Sequence, residues 1–336
     1  MALPTDANAV RIGILSTARI ARDAIIPAIR KSHNAAVVAV ASRDADRARI
    51  VAEQAGAPRA YAGYEQLLKD PEVEAVYNPL PNAMHRPWSV AAAEAGKHVL
   101  CEKPLAGNAA AGQGVVDACK RHGVKLMEAF IYRFSPRNNA ALAAIEDHAI
   151  GRVRYIRSAI CFPVSDQANI RLSKPLEGGS LRDMGCYCVN LARWVTGEEP
   201  TSVFADAYFG GRSGVDEVMH ATLRFPWGVV SQHVTSFHVH MPPDAEIVGT
   251  EGRIVIPGFL FNVPHFDLIR DGEAHRIETA PTDSCQLMIE YFADAVRSGR
   301  PIERCSGEDA VANLRVIDAL YESARAGRVV ELGATI

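Results

Sequence analysis

Residues 10–42 read VRIGILSTARIARDAIIPAIRKSHNAAVVAVAS. Two apolar, β-branched runs, VRIGIL (10–15) and AAVVAVAS (35–42), flank a stretch at 18–31 with a helical pattern. Strands with no polar alternation are those covered on both faces, and a strand–helix–strand order is the repeating unit of a parallel sheet. Pro27 falls inside the helical stretch and either kinks or restarts it. The same alternation continues outward: a helix over 43–56 closed by Gly56, a strand over 74–81, a helix over 86–95, a strand ending in HVLCEKP, a helix over 107–121 and a strand over 124–130. After residue 130 the rhythm changes. A helix at 136–148 precedes longer strand-like runs at 152–162, 201–209, 217–225, 228–241, 245–256 and 266–271, with helices at 180–195, 284–298 and 307–326. The pattern predicts an α/β chain: a doubly wound parallel sheet over 1–130, then an α+β domain over 131–336 with a mostly antiparallel, open-faced sheet.

Composition narrows the function classes. Of 336 residues, 48% are apolar and 22% charged, with a net charge of -3, which favours neither nucleic acid nor a membrane surface as partner. Seven cysteines are scattered irregularly, which is not a disulfide framework and suits a reducing compartment. Cys186 and Cys188 have no partner pair, so no structural zinc site is expected. The start, MALPTDANAV, lacks a basic region followed by an apolar one, and no apolar run is long enough to span a bilayer. A cytoplasmic protein is expected.

A dinucleotide-binding sheet places a glycine-rich turn between its first strand and helix. Here the turn reads GILSTARIA, with Ser16, Thr17, Ala18 and Ala21 where the glycine pattern would stand and Gly13 too early, inside the strand. The physical need is for small residues and free N–H groups near a pyrophosphate. Ser16 and Ala18 are small enough, though an ordinary strand-to-helix turn reads the same way. At the end of the second strand an NAD-preferring fold places an acid. This chain has Ser42 and Arg43, a hydroxyl and a guanidinium that suit a 2′-phosphate. NADP is therefore expected, with NAD possible.

Several segments then occur in order: GILSTARIA, NPLPNAMH (78–85), CEKPLA (101–106), MEAFIYRF (127–134) and EGGSLRDMGCYCVNLARW (177–194). Together they resemble the Gfo/Idh/MocA oxidoreductases, and within them the branch of dimeric dihydrodiol dehydrogenase and NADP-dependent D-xylose dehydrogenase. The resemblance spans nearly the whole chain. It implies a Rossmann domain, a second domain that binds substrate and forms a homodimer or homotetramer through its sheet, and an active site at the C-terminal ends of the parallel strands. It also accounts for a glutamate, a lysine and a proline at the end of a buried strand, where charge is costly. In the family this lysine stands beside nicotinamide and substrate, and the peptide bond before the proline is often cis. Lys103 carries over as catalytic and Glu102 as a cofactor contact.

Family members often carry histidine four residues after the aspartate of the second motif; here the pair is Asp183 and Tyr187, as in the dihydrodiol branch. Asp183, Cys186, Tyr187 and Asn190 share one face of a regular helix. Hydride transfer to a carbonyl leaves an alkoxide that needs a proton. Tyrosine, with a reference pKa of about 10, becomes a usable acid/base when an ammonium such as that of Lys103 favours its phenolate. Asp183 would bond a substrate hydroxyl or hold Lys103; a helix N-terminal acid is the other reading.

The resemblance further implies cofactor contacts at Ser16, Thr17, Ala18, Arg19, Ile20, Ser42, Arg43, Leu80, Asn82, His85, Lys103 and Arg133. Ser135 replaces the histidine of the common YRFHP pattern. Asn169 and Arg171 join Lys103, Asp183 and Tyr187 as candidate substrate contacts, and Gln286 begins a late helix that could reach the cleft. His238 and His240, with His233 opposite, read as packing residues rather than metal ligands. The expected activity is NADP-dependent hydride transfer at a CH–OH or C=O carbon of a sugar, polyol or cyclic diol, without metal. A silent NADP-sensing regulator of the same fold is the alternative.

Overall fold

The computed structural model describes residues 8–333; the reading of a leader-free start falls largely on residues 1–7, outside them. The chain divides into two compact units. The first runs as far as Ala106 and includes Ala110–Ile131 and Asp283–Val311; the second holds Gly107–Ala109, Tyr132–Thr282 and the chain from Ala312 onward.

The first unit contains six strands: β1 (Val10–Leu15), β2 (Ala35–Ser42), β3 (Arg59–Ala62), β4 (Ala75–Asn78), β5 (His98–Cys101) and β6 (Leu126–Glu128). They are ordered β3-β2-β1-β4-β5-β6, and every pairing is parallel. β2 is buried along its whole length, as its unbroken apolar run requires. The winding reverses between β1 and β4, and ligands of open α/β sheets bind outside the carboxyl ends of strands at such a point. The edge strand β3 was not legible: RAYA is four residues long and only partly covered. Gly13 serves packing, since a Cβ there would lie 2.7 Å from a Leu67 methyl.

The second unit carries nine strands: β7 (Val153–Cys161), β8 (Ser202–Phe209), β9 (Asp216–Arg224), β10 (Val230–Ser236), β11 (Ala245–Gly249), β12 (Gly252–Ile256), β13 (His265–Arg270), β14 (Glu273–Glu278) and β15 (Val330–Glu331). Their order is β14-β13-β12-β11-β7-β10-β9-β8-β15, antiparallel except for the β7–β10 pair. The run at 245–256 is a hairpin of two strands, turning at Thr250 and Glu251. The expected strand at 228–241 stops at Ser236, so His238 and His240 lie beyond it. β14 is exposed at every position and has no apolar face to betray it.

Helices Pro136–Glu146 and Cys186–Thr196 pack on this sheet. Elsewhere the sheet is open: a concavity of about 560 Å³ is lined by Tyr155, Phe204, His220, Gln232 and Val234 among others. Phe204 and Tyr208 are 42% and 56% exposed. Among the described residues no helix is long and apolar enough to cross a membrane.

Candidate active site

The turn after β1 shows why its missing glycine matters. Ser16 adopts φ 129°, a region that L residues rarely enter and that glycine enters freely. Its Oγ accepts the N–H of Ala18 at 2.9 Å, and its own N–H donates to the Ala41 carbonyl at 2.9 Å. The backbone thus takes the shape of a glycine-rich turn without the glycine, held by a side chain glycine lacks. A π turn (Ala21–Ile25) leads into helix Ile26–Lys31, so Pro27 restarts an α-helix. Arg19 and Ile20 are exposed at its mouth. At the end of β2, the Ser42 Oγ accepts the N–H of Asp44 at 3.2 Å. Burial raises the Tyr64 phenol, and the Arg43 guanidinium beside it opposes that shift.

The Lys103 turn is anchored on both sides. The Tyr77 hydroxyl donates to Glu102 Oε1 at 2.7 Å, and Glu102 is 9% exposed. The Leu105 N–H donates to Glu128 Oε1 at 2.7 Å. The Lys103–Pro104 peptide bond is cis. His85, 1% exposed, has Nδ1 2.7 Å from the Pro104 carbonyl and Nε2 2.7 Å from the Leu80 carbonyl. Burial pushes its imidazole down to about 4, against the two carbonyls, which favour the protonated ring. Both ring nitrogens are thereby taken up inside the unit. Leu80 is buried, and Asn82 begins helix Asn82–Glu94.

In the second unit the expected regular helix over 180–195 starts with a π turn, Leu181–Gly185, before helix Cys186–Thr196. The extra residue in that turn shifts the helical phase ahead of Cys186. Cys186 and Asn190 are fully buried, whereas Asp183 and Tyr187 keep partial exposure. Asp183 is paired to Arg171, Nε to Oδ2 at 2.7 Å, and Arg171 lies 5.4 Å from the Phe162 ring. Asn169 caps the short turn Ile170–Leu172 through the Arg171 N–H at 3.1 Å. Tyr187 packs edge-on to Tyr132, whose hydroxyl donates to Asn190 Oδ1 at 2.6 Å. Arg133 also reaches Asn190, at 3.3 Å, and lies 4.4 Å over the Trp194 ring.

Beneath the π turn sits a group the sequence reading missed. Asp216, 1% exposed, accepts from Tyr321 Oη (2.6 Å), Ser180 Oγ (2.9 Å) and the Leu181 N–H (2.7 Å). Burial pushes its carboxyl up, and those three donors hold it down. The two glycines before the turn make room. A Cβ on Gly178 would lie 2.2 Å from the Arg171 carbonyl, and one on Gly179, at φ 119°, 2.1 Å from Asp216 Oδ1. The glycine pair was the only sequence signal of this close approach.

Other candidates lie elsewhere. Gln286 bonds Glu290 at 2.9 Å and the Lys31 carbonyl at 3.3 Å. His238 pairs with Glu217 at 2.6 Å, and His233 is buried. Among the described residues no group of three or more His, Cys, Asp or Glu side chains is disposed to hold a metal ion.

Residues 10–130 match the oxidoreductase family with an NAD-binding Rossmann fold, and residues 139–255 match the GFO/IDH/MocA C-terminal domain. The chain belongs to the Gfo/Idh/MocA oxidoreductase family. Its relatives include D-xylose 1-dehydrogenase (NADP(+)) 2 of Haloferax volcanii, 40% identical over 95% of this chain and 99% of that one. Trans-1,2-dihydrobenzene-1,2-diol dehydrogenase of Xenopus laevis is 36% identical over 76% of this chain and 77% of its own length. Among solved structures, aldose-aldose oxidoreductase from Caulobacter crescentus, complexed with glycerol, superposes with a TM-score of 0.91 at 30% identity, covering 96% of this chain and all of the other. The Gfo/Idh/MocA assignment makes this chain an oxidoreductase and its first unit a dinucleotide-binding one.

Proposed function

We propose that this oxidoreductase transfers hydride between NADP and a CH–OH or C=O carbon of a sugar, polyol or cyclic diol. The reading is supported by the occurrence of Lys103, Asp183 and Tyr187 together in a chain 40% identical, over nearly its full length, to an NADP-dependent D-xylose dehydrogenase. When bound, the nicotinamide supplies or accepts the hydride. The residues present fit NADP. Ser16 and Ala18 are small enough for a close approach at the first turn, and the end of β2 presents a hydroxyl and a guanidinium rather than a carboxylate.

Thr17, Arg19, Ile20, Leu80, Asn82 and Glu102 complete the proposed cofactor contacts, with Ser42 and Arg43 at the 2′-phosphate. Tyr187 gives a proton to the developing alkoxide or takes one from the alcohol, and Lys103 favours its phenolate. Asp183, paired with Arg171, is the proposed contact for a neighbouring substrate hydroxyl. Asn169, whose side chain accepts the Arg171 N–H, is a further proposed substrate contact with Arg171. Arg133, a further proposed cofactor contact, lies over Trp194 and shares the Asn190 Oδ1 acceptor with Tyr132. The open sheet face is read as the contact with a second copy of the chain, and a reducing, aqueous compartment suits the free cysteines.

The test follows nicotinamide absorbance with NADP and NAD against aldoses, polyols, ketosugars and trans-dihydrodiols. Turnover with NADP on one of these classes is expected. Tight NADP binding without turnover across the panel would overturn the reading in favour of a sensor.

A further inference from the structure

His85 is a deeply buried polar group beside the Lys103 turn, and its surroundings are unusual. It is 1% exposed, and each ring nitrogen stands 2.7 Å from a backbone carbonyl. A neutral imidazole donates to one acceptor only, so the two carbonyls compete for one proton, and a charged ring would satisfy both. The carbonyls belong to two different pieces of chain. Pro104 directly follows Lys103. Leu80 lies in the loop after β4, next to the sheet's switch point.

The loop is itself braced around the same residue: Asn78 Nδ2 donates to the His85 carbonyl at 3.1 Å and to Ser89 Oγ at 3.1 Å. The Leu80 N–H reaches back to Asn78 Oδ1 at 3.4 Å. On the far side of the turn, Glu128 holds the Leu105 N–H and Tyr77 holds Glu102. The turn is thus tied before and after Lys103, with the Glu102 N–H on the Asn78 carbonyl at 3.0 Å, and His85 links its Pro104 carbonyl to the Leu80 loop.

We propose that His85 is a positioning residue with two separable jobs: Nδ1–H fixes the Lys103–Pro104 turn in one tautomer, Nε2–H fixes the Leu80 loop, on the cofactor side, in the other, and only the charged ring does both at once. This rests on the proposed roles of Lys103 in turnover and of the Leu80 loop in NADP binding. Misplacement of a reacting group by an ångström costs on the order of a hundredfold in rate.

Two conservative replacements separate the jobs. An asparagine amide can stand near Nδ1 and keep the Pro104 contact. A glutamine amide reaches the Nε2 position and keeps the Leu80 contact. Measured on the full chain, His85→Asn should keep kcat within about threefold while weakening NADP affinity roughly tenfold. His85→Gln should do the reverse, keeping NADP affinity and losing about ten- to a hundredfold in kcat. His85→Ala should lose both, and His85→Ala added to Lys103→Met should lower kcat no further, since both act through the same group. NADP affinity is read by fluorescence titration, and kcat at saturating NADP.

If Asn and Gln variants give the same profile, tracking only their melting temperatures, His85 is a packing residue and the proposal falls. Wild-type kcat in folded His85→Ala would also overturn it. A Lys103→Met enzyme with full turnover would remove the reading of Lys103 and this inference with it, and that single variant distinguishes the two failures.

Discussion

Truncating Asp216 tests whether the turn carrying Asp183 is built from below. Asp216→Ala removes an acceptor serving three donors in a site 1% exposed. Ser180 Oγ keeps Thr235 Oγ1 at 3.0 Å, so it is not orphaned. The Leu181 N–H and the Tyr321 hydroxyl are. An unsatisfied buried donor costs about 1–3 kcal/mol, so the two together cost about 2–5 kcal/mol once partial relaxation is allowed. Removal of a charge from an apolar setting returns a part of its desolvation penalty, which keeps the figure from the top of that range.

Asp216→Asn is the informative control. Its carbonyl oxygen can still accept from Leu181 and Ser180, and the Tyr321 hydroxyl can turn to accept from the amide, so its cost should be about 1 kcal/mol. Paired urea titrations of wild type and both variants measure the difference. Because Leu181 opens the π turn, the alanine variant should also lose turnover on any substrate used by the wild type, while the asparagine variant keeps most of it. An Asp216→Ala protein within 1 kcal/mol of wild type, or an asparagine variant as damaged as the alanine one, would refute the reasoning.

Other outcomes follow from the same structure. His233 is buried with neither ring nitrogen bonded, and burial pushes its imidazole down to about 4. Its folded value lies below the unfolded one of about 6.5, so between these the unfolded chain binds more protons. The stability it allows at pH 7 is therefore lost as pH falls through that window, about 2.5 kcal/mol by pH 4.5. His233→Leu should flatten the pH dependence of the urea midpoint by that share, and an unchanged slope would count against it. Ser42→Asp should cut NADP preference over NAD about a hundredfold, because a carboxylate at the end of β2 repels a 2′-phosphate and suits a free hydroxyl; kcat/KM with each cofactor reads it. Phe204→Glu on the open sheet face should shift sedimentation to a smaller species if that face joins two copies, and an unchanged profile would remove that reading.

The sequence carried the layout of the first unit because its inner strands are short continuous apolar runs that alternate with helical patterns. It drew attention to Lys103 because a charged pair at the end of such a run is costly, and its proposed role came from the resemblance. What it hid was conformational. Ser16 enters a glycine-like φ with no glycine to announce it. The π turn at Leu181–Gly185 has the same composition as an α-helical start, so nothing in the sequence announced it. Asp216 and Tyr321, separated by 105 positions, meet only through the topology of the second sheet. β3 and β14 escaped because one is very short and the other is exposed throughout.

The most direct test of the account is turnover by Tyr187→Phe and Lys103→Met, compared with wild type on the substrate class found, together with NADP binding. The account predicts that each variant loses about 10²- to 10⁴-fold in kcat while binding NADP within a few-fold of wild type. Wild-type kcat in either variant would contradict the assignment of proton transfer to Tyr187 under the influence of Lys103.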